Sequence, residues 1–154
     1  MRVRLSSLLL CGILLLAVTA TTAPARTSAA PTVSPRALIT TYLNNVNSVL
    51  AGGSNSLLAA MYAPTATLEV ATPDGKTATF HGLTAVMGWY KTFAAANVGV
   101  VIKATNVRAP VPGMMIHYEV GYNAKGAPVG RCAHFWAVVN GLIVSDDFVV
   151  YWAS

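Results

Sequence analysis

The fold is decided by residues 114–152, which read MMIHYEVGYNAKGAPVGRCAHFWAVVNGLIVSDDFVVYW. This stretch contains three long runs rich in Val, Ile, Tyr, Phe and Trp, the residue types that favour β-strands. Lys125-Gly126 and Asn140-Gly141 interrupt the runs, and both pairs are typical of tight hairpin turns. The sequence therefore predicts three consecutive antiparallel strands, over residues 114–122, 129–139 and 142–152.

Helical periodicity dominates the chain upstream of these strands. Ser34-Pro35 is a favourable helix start, because Ser caps the first turn and Pro fits its first position. Apolar residues then recur every three or four positions until Gly52-Gly53 ends the pattern. A second, shorter helix is predicted to begin after Ser54 and to end at Pro64. A third is predicted from Thr84 to about residue 96. The remaining predicted elements are a hairpin of residues 66–71 and 77–81, and a strand over residues 98–108.

The order of these elements indicates the fold class. Helices come first, a hairpin and a third helix follow, and four antiparallel strands end the chain, which is an α+β plan. A strongly curved sheet wrapped around three helices encloses a pocket. We therefore expect one cone-shaped α+β domain over residues 34–154, with an antiparallel sheet and an internal pocket.

The chain begins with a segment of a different kind. Arg2 and Arg4 precede an almost wholly apolar run over residues 5–18, which is too short to cross a bilayer and has the length of a signal peptide. The small and medium-sized residues Val18-Thr19-Ala20 predict that the signal is cleaved after Ala20. The alternatives are an uncleaved membrane anchor and lipidation at Cys11. We expect residues 1–20 to be a signal peptide, residues 21–33 a disordered tether, and the protein to be secreted or to lie at the outside of the cell envelope.

Charge and cysteine content narrow the function classes. Residues 21–154 carry eight Lys or Arg and five Asp or Glu, a net charge of +3 without a basic cluster. A nucleic-acid partner is therefore not expected, and no second apolar run could span a membrane after cleavage. Cys132 would be the one cysteine left, so an internal disulfide is not expected, and it is interpreted as a buried small apolar residue rather than a nucleophile.

Three short motifs occur in order along the predicted domain. They are the run Tyr62-Ala63-Pro64-Thr65-Ala66-Thr67-Leu68-Glu69, Gly82 before the third helix with Trp89-Tyr90 inside it, and His134-Phe135 followed by residues 140–144. On these motifs the chain, over about residues 36–152, resembles the nuclear transport factor 2-like superfamily, specifically its SnoaL-like and ketosteroid isomerase-like branch. The resemblance implies the cone-shaped fold, an internal pocket and a homodimer.

The resemblance also implies roles for three tyrosines. Tyr42, Tyr62 and Tyr90 fall where isomerases of this kind carry hydroxyl groups that bind a developing oxyanion. A purely structural role, capping the core with satisfied hydroxyls, is the alternative. The acids of the isomerases are missing, because Val70 and Ala133 occupy their positions. Steroid isomerisation by the family mechanism is therefore not expected.

Asp146 is the carboxylate that could replace them. Neighbouring strand residues face opposite sides, and the family register directs the even positions of residues 142–152 into the pocket. Asp146 would then be a candidate general acid or base, or else would form an ion pair with Arg131 that orders two strands. The same register directs Ala133 and Phe135 inward. The expected ligand-binding residues are Val70, Trp89, Tyr118, Tyr122, Arg131 and Phe148.

The same register places His117, Glu119 and His134 together on the outer face of the sheet. These residue types could form a metal site or an acid-base site. Their spacing along the sequence is not that of a known ligand motif, so no metal and no cofactor are expected. We expect an exported domain that binds a small hydrophobic molecule, with isomerase, lyase or cyclase chemistry left open. A non-catalytic interaction or dimerisation module that uses the outer sheet face is the alternative.

Overall fold

A computed structural model describes residues 34–153 of the protein. The expected signal peptide, residues 1–20, and the expected tether, residues 21–33, lie outside the described residues. Within the described range no helix has the length and apolar character needed to cross a membrane. The elements are helices α1 (Pro35–Leu50), α2 (Ser56–Ala59) and α3 (Leu83–Ala96), and strands β1 (Tyr62–Ala71), β2 (Thr77–His81), β3 (Val101–Arg108), β4 (Met114–Tyr122), β5 (Pro128–Val139) and β6 (Leu142–Ala153).

The six strands form one sheet in the order β2-β1-β6-β5-β4-β3. Every neighbouring pair is antiparallel except β1 and β6, which run parallel. The prediction of a purely antiparallel sheet is therefore wrong at one junction. Two successive hairpins join β4 to β5 and β5 to β6, so β6 runs in the same direction as β4. β6 also lies next to β1 and runs parallel to it. The curved sheet and its three helices confirm the cone-shaped α+β fold.

The helices contribute the apolar face that fills the cone. The Ser34 hydroxyl accepts a hydrogen bond from the Ala37 backbone N–H at 3.2 Å, and Pro35 occupies the first helical position, as predicted. Tyr42 and Ile39 on α1 and Tyr90 on α3 are almost fully buried. Helical spacing thus directs two of the three predicted tyrosines into the interior.

Tyr62 begins β1 rather than ending the second helix. The Met61 N–H closes the last turn after α2 by bonding to the Leu58 carbonyl, and the Ile143 N–H then bonds to the Met61 carbonyl. Pairing with β6 therefore starts at Tyr62, opposite Ile143, and holds the chain in an extended form. The short helix α2 is a single turn because strand pairing begins directly after it.

A tight turn joins β5 to β6 and is followed by an irregular pairing. Asn140 and Gly141 both have positive φ, 51° and 79°, as an Asn-Gly turn of type I′ requires. Val138 pairs with Ile143, but Ala137 pairs with Ser145, so one extra residue of β6 is inserted between these pairs. This β-bulge shifts the pairs from Ala137–Ser145 to Cys132–Val150 by one residue, and a second irregularity between Cys132 and Arg131 shifts the last two pairs by one more.

The bulge reverses the predicted faces of β4 and β5. Asp146 points inward as predicted, but its partner is Trp136 rather than Phe135. Cys132, His134 and Trp136 therefore face the interior. Alternation and strand pairing place four residues that were expected to face inward on the outer face instead; they are Tyr118, Tyr122, Ala133 and Phe135. Arg131, near the start of β5, is exposed.

Candidate functional site

Three tyrosine hydroxyls and one carboxylate meet at the centre of the cone. Tyr62 donates a hydrogen bond to Asp146 Oδ2 at 2.7 Å, and Tyr90 donates to the same oxygen at 3.3 Å. The Tyr90 hydroxyl lies 2.7 Å from that of Tyr62 and 3.1 Å from that of Tyr42. The structure thus brings together all four residues predicted to carry chemistry, and Asp146 is fully buried among them.

Two histidines and a second carboxylate extend this cluster. His134 Nδ1 lies 2.8 Å from Asp146 Oδ1, and its Nε2 lies 3.5 Å from Glu119 Oε2. His117 Nε2 lies 2.9 Å from Glu119 Oε1. The seven side chains, Tyr42, Tyr62, Tyr90, His117, Glu119, His134 and Asp146, are called the polar network below. His117, Glu119 and His134 were expected on the outer face; the bulge in β6 accounts for their inward position.

Charge is distributed unevenly within the polar network. Burial favours a neutral His134, but the Asp146 and Glu119 carboxylates outweigh it and raise the pKa of His134 well above its usual value. Burial would also raise the pKa of Glu119, but the His134 charge and the hydrogen bond from His117 lower it to about 2. Burial lowers the pKa of His117. The network therefore holds an ionised Glu119 beside a cationic His134 and a neutral His117.

The tyrosines of the polar network are held in their neutral form. Burial raises the pKa of Tyr62 and Tyr90, and the nearby Asp146 carboxylate raises both further. Burial also raises the pKa of Tyr42, with Tyr90 as the next cause. Neutral phenols in an apolar interior are hydrogen-bond donors toward an anion, which is the role that an oxyanion site requires.

The interior of the cone is largely filled by the polar network and by the rings packed around it. Trp136 and Phe148 contact His134 with ring centroids 6.0 and 4.5 Å away. Among residues 34–153, two buried side-chain atoms have no hydrogen-bond partner, His117 Nδ1 and Trp136 Nε1. Open space lies beyond Phe148, toward the start of β5 and the end of β6.

That space is a cavity of about 230 Å³, called the end cavity below. Its apolar wall consists of Phe93, Val100, Ile102, Phe148, Val150 and Trp152, and its polar lining includes Asn97, Arg131 and Cys132. Cys132 also contacts the polar network, because its Sγ lies 3.7 Å from Glu119 Oε2. Cys132 and Phe148 therefore form a single side-chain layer between the end cavity and the network.

Two larger clefts lie away from this region. One, of about 470 Å³, lies between the C-terminal ends of α1 and α3, and the other, of about 880 Å³, runs along α1 and β3. None of the seven network residues lines either cleft. We therefore take the smaller end cavity, which shares a wall with the network, as the candidate site.

The predicted ligand-binding residues divide into three groups. Phe148 lines the end cavity, Arg131 lies at its rim, and Trp89 stacks on the cavity residue Phe93 with ring centroids 5.1 Å apart. Val70 is buried opposite Phe148 in the sheet, behind the cavity wall. Tyr118 and Tyr122 do not reach the site, because the register places them on the outer face.

The alternative ion pair of Asp146 with Arg131 is wrong. Arg131 pairs with Trp152, six residues along β6 from Asp146, which corresponds to about 20 Å along a strand. Its guanidinium carbon instead lies 5.9 Å from the centre of the Trp152 ring. His134 takes the place that Arg131 was expected to hold.

Sequence reasoning missed the inward position of His134 and Glu119, and one signal could have found it. Arg131 precedes Cys132 directly, and Arg is almost never fully buried without a partner. Placing Arg131 outside directs Cys132, His134 and Trp136 inward by alternation alone.

Comparisons with known proteins agree with this architecture. No protein-family model matches the sequence, and no protein with a curated description matches it. Solved structures with a similar fold include a candidate polyketide cyclase from Sinorhizobium meliloti (TM-score 0.55, 15% identity, 72% of this chain and 92% of that one). A candidate isomerase of the SnoaL-like family from Agrobacterium tumefaciens has a TM-score of 0.59, 11% identity, and coverage of 75% and 96%.

A third similar structure is a nuclear transport factor 2-like protein of unknown function from Mesorhizobium loti. Its TM-score is 0.57 at 16% identity, with 77% of this chain and 95% of that chain covered. At such identities the likeness concerns the fold alone. The fold implied by the sequence motifs, that of the SnoaL-like and nuclear transport factor 2-like proteins, is confirmed.

Proposed function

We propose that this domain binds a small, largely apolar molecule with a carbonyl group in the end cavity, and that the polar network assists a proton transfer of isomerase, lyase or cyclase type. The proposal includes export of the protein, which rests on the sequence of residues 1–20. One observation carries it: Cys132 and Phe148 line the cavity and also contact the network.

The free-energy cost of burying the polar network supports a functional role. Its seven side chains are buried in the middle of the domain, and buried ionisable groups usually contribute less stability than apolar residues of the same volume. Clusters of buried groups with shifted pKa values next to a cavity are found most often at functional sites. A core that served only for packing has no need of two carboxylates and two histidines.

The parts of the network suit different steps of one reaction. Tyr62 and Tyr90 are neutral hydroxyl donors that already converge on one carboxylate oxygen, Oδ2 of Asp146. The same arrangement can hold the oxygen of an enolate. His134 lies between the Asp146 and Glu119 carboxylates, so it can pass a proton toward the side of the network nearest the cavity.

The size of the end cavity limits the ligand. Its 230 Å³ is smaller than the range of about 300–1,000 Å³ that is usual for drug-sized ligands, so a compound with one or two rings fits best. The walls formed by Phe93, Val100 and Phe148 favour an apolar ring, and Cys132 marks the end where a polar group would lie. Two of the similar structures are named as a candidate cyclase and a candidate isomerase, which agrees with this class of reaction.

Hydrogen exchange at carbon tests the proposal without a known substrate. A panel of one- and two-ring ketones such as indanone and tetralone is incubated with the protein in heavy water, and deuterium entry next to the carbonyl is followed by NMR. We expect exchange with the wild-type protein and a loss of about 10²- to 10⁴-fold in Asp146→Asn. Asp147→Asn is the matched control, because Asp147 is the exposed neighbour on the outer face.

Circular dichroism establishes that each variant is folded, and Tyr62→Phe provides a milder change in the same network. Equal exchange rates in wild-type, Asp146→Asn and Tyr62→Phe proteins would remove the network from the reaction. Absence of both exchange and ketone binding in the wild-type protein would refute the whole proposal.

A second candidate function is self-association through the outer face of the sheet, and one observation favours it. Met114, Phe135 and Val139 lie on this face, and each is exposed, Phe135 by 38%. Exposed apolar side chains grouped on one sheet face are typical of protein interfaces. The expected homodimer would bury them.

Sedimentation velocity tests the dimer. We expect wild-type protein to sediment as a dimer and Phe135→Lys as a monomer. Leu57→Lys is the control, because Leu57 is also an exposed apolar residue, 66% accessible, but lies on α2. A monomeric wild-type protein at all concentrations would rule out this second function.

A further inference from the structure

We propose that His117, Glu119 and His134 form a binding site for a divalent transition-metal ion such as Zn²⁺, with the Cys132 thiol as the fourth ligand. The three residues are fully or almost fully buried, and their ligand atoms all lie within 4.8 Å of one another. The proposal does not depend on the small-molecule function, because metal binding is measured without any organic ligand.

The distances between these atoms fit a tetrahedral ion. Zn²⁺ bonds of about 2.0 Å to nitrogen and oxygen and 2.3 Å to sulfur place neighbouring ligand atoms about 3.3–3.5 Å apart. Glu119 Oε1 lies 2.9 Å from His117 Nε2, and Glu119 Oε2 lies 3.5 Å from His134 Nε2 and 3.7 Å from Cys132 Sγ. The ligand atoms of His117, Glu119 and His134 lie within 4.8 Å of one another, so the widest pair must approach by up to about 1.5 Å when the ion binds.

The pairing of β4 with β5 creates this geometry. His117 is directly opposite His134, and Glu119 is directly opposite Cys132, so four side chains of one sheet face form a compact rectangle. The two imidazole rings lie parallel with centroids 4.7 Å apart. Strand pairing thus brings ligand atoms of both imidazole rings and of Glu119 within 4.8 Å of one another.

The surroundings of His134 are those of a metal ligand. Its Nδ1 contacts Asp146 at 2.8 Å, which fixes the ring and leaves Nε2 for the ion. A histidine that ligates a metal usually donates its other N–H to a carboxylate in this way. Nε2 itself lies 3.5 Å from Glu119 Oε2 and 3.4 Å from the Tyr42 hydroxyl, and the Cys132 thiol is a further neighbour of the His134 ring.

Cys132 connects the site to the outside. It lines the end cavity and is the contact between that cavity and Glu119, so an ion that enters the cavity meets a thiol first. Thiolate, imidazole and carboxylate together suit Zn²⁺ better than the hard ions Mg²⁺ and Ca²⁺, which take oxygen ligands. On binding, the ion displaces the proton from the thiol and from His134 Nε2 to solvent.

The test uses untagged protein, stripped with a chelator and then loaded with Zn²⁺ or Co²⁺. We expect about one Zn²⁺ per chain by plasma mass spectrometry. With Co²⁺ we expect the intense visible absorption of a four-coordinate ion and a near-ultraviolet band from thiolate-to-cobalt charge transfer. Glu119→Gln should lose stoichiometric Zn²⁺, whereas Glu69→Gln, a change at an exposed strand carboxylate, should bind as wild type does.

Two further variants keep the test independent of folding defects. Cys132→Ser, at a partly buried position on the cavity wall, should lose the charge-transfer band. Asp146→Asn should weaken Zn²⁺ binding by about 10- to 100-fold, as changes beside a ligating histidine do. Wild-type protein that retains no Zn²⁺, or a Co²⁺ spectrum that is the same in wild-type and Cys132→Ser proteins, overturns the proposal.

Discussion

Removal of the Tyr62 hydroxyl tests the stability of the polar network. In Tyr62→Phe the ring keeps its contact with Tyr90, whose centroid lies 5.9 Å away, so the core volume is nearly unchanged. The lost groups are the hydrogen bond to Asp146 at 2.7 Å and the contact with the Tyr90 hydroxyl at 2.7 Å. The variant therefore isolates hydrogen bonding from packing.

The expected loss of unfolding free energy depends on whether the hydrogen-bond partner of the hydroxyl is charged or neutral. A hydrogen bond to a charged group contributes about 1.5–3 kcal/mol, and one between neutral groups about 0.5–1.5 kcal/mol. Tyr62 makes one contact of each kind, while Tyr42 has hydroxyl contacts of 3.1 and 3.4 Å to Tyr90 and His134. We expect Tyr62→Phe to lower the free energy of unfolding by about 2–3 kcal/mol and Tyr42→Phe by about 0.5–1.5 kcal/mol.

Urea denaturation followed by tryptophan fluorescence measures both values. Tyr118→Phe is the control, because Tyr118 lies on the outer face, and we expect a change within about 0.5 kcal/mol. A Tyr62→Phe variant as stable as wild type, or one less affected than Tyr42→Phe, would refute the assignment of Asp146 as the centre of the network.

Three further predictions concern the turn, the first helix and alkaline pH. Gly141→Ala should destabilise the protein by about 1–2 kcal/mol in urea denaturation, since φ is 79° there; equal stability would contradict the observed turn. Ser34→Ala should cost about 1 kcal/mol through the lost helix cap, and no loss would mean that α1 is capped otherwise. Because the pKa values of Tyr62 and Tyr90 are raised above 10.0, folded protein should show less phenolate absorbance than unfolded protein in the same buffer. Stability should then be intact below pH 10 and fall above it, and a flat alkaline profile would contradict the buried network.

The sequence predicted the meeting of the four central residues for good physical reasons. Helical spacing fixed the buried faces of the two long helices, and so the positions of Tyr42 and Tyr90. The role of Tyr62 followed from the family resemblance, although the sequence placed this residue on the second helix and the structure places it at the start of β1. Strand alternation required one of Asp146 and Asp147 to face inward, and the register implied by the family resemblance selected Asp146, which is buried in the structure.

The faces of β4 and β5 were predicted wrongly, and a single residue is the cause. The mutual pairing of these two strands around Lys125-Gly126 was compatible with the sequence, and the structure has it. The extra residue of β6 between Ile143 and Ser145 then inverts both strands relative to Asp146. Both faces of this sheet are rich in apolar residues, so no binary pattern distinguishes the two registers. The charge of Arg131 was the available signal.

The position of a bound probe tests the central claim, that the end cavity, which shares a wall with the polar network, is the binding site. We would titrate isotope-labelled protein with 2-naphthol, a two-ring phenol, and record backbone amide chemical shifts by NMR. We expect the largest changes at Cys132, Phe148 and Val150, with smaller ones at His134. Changes confined to the cleft between the ends of α1 and α3, or an absence of changes at saturating naphthol, would contradict the claim.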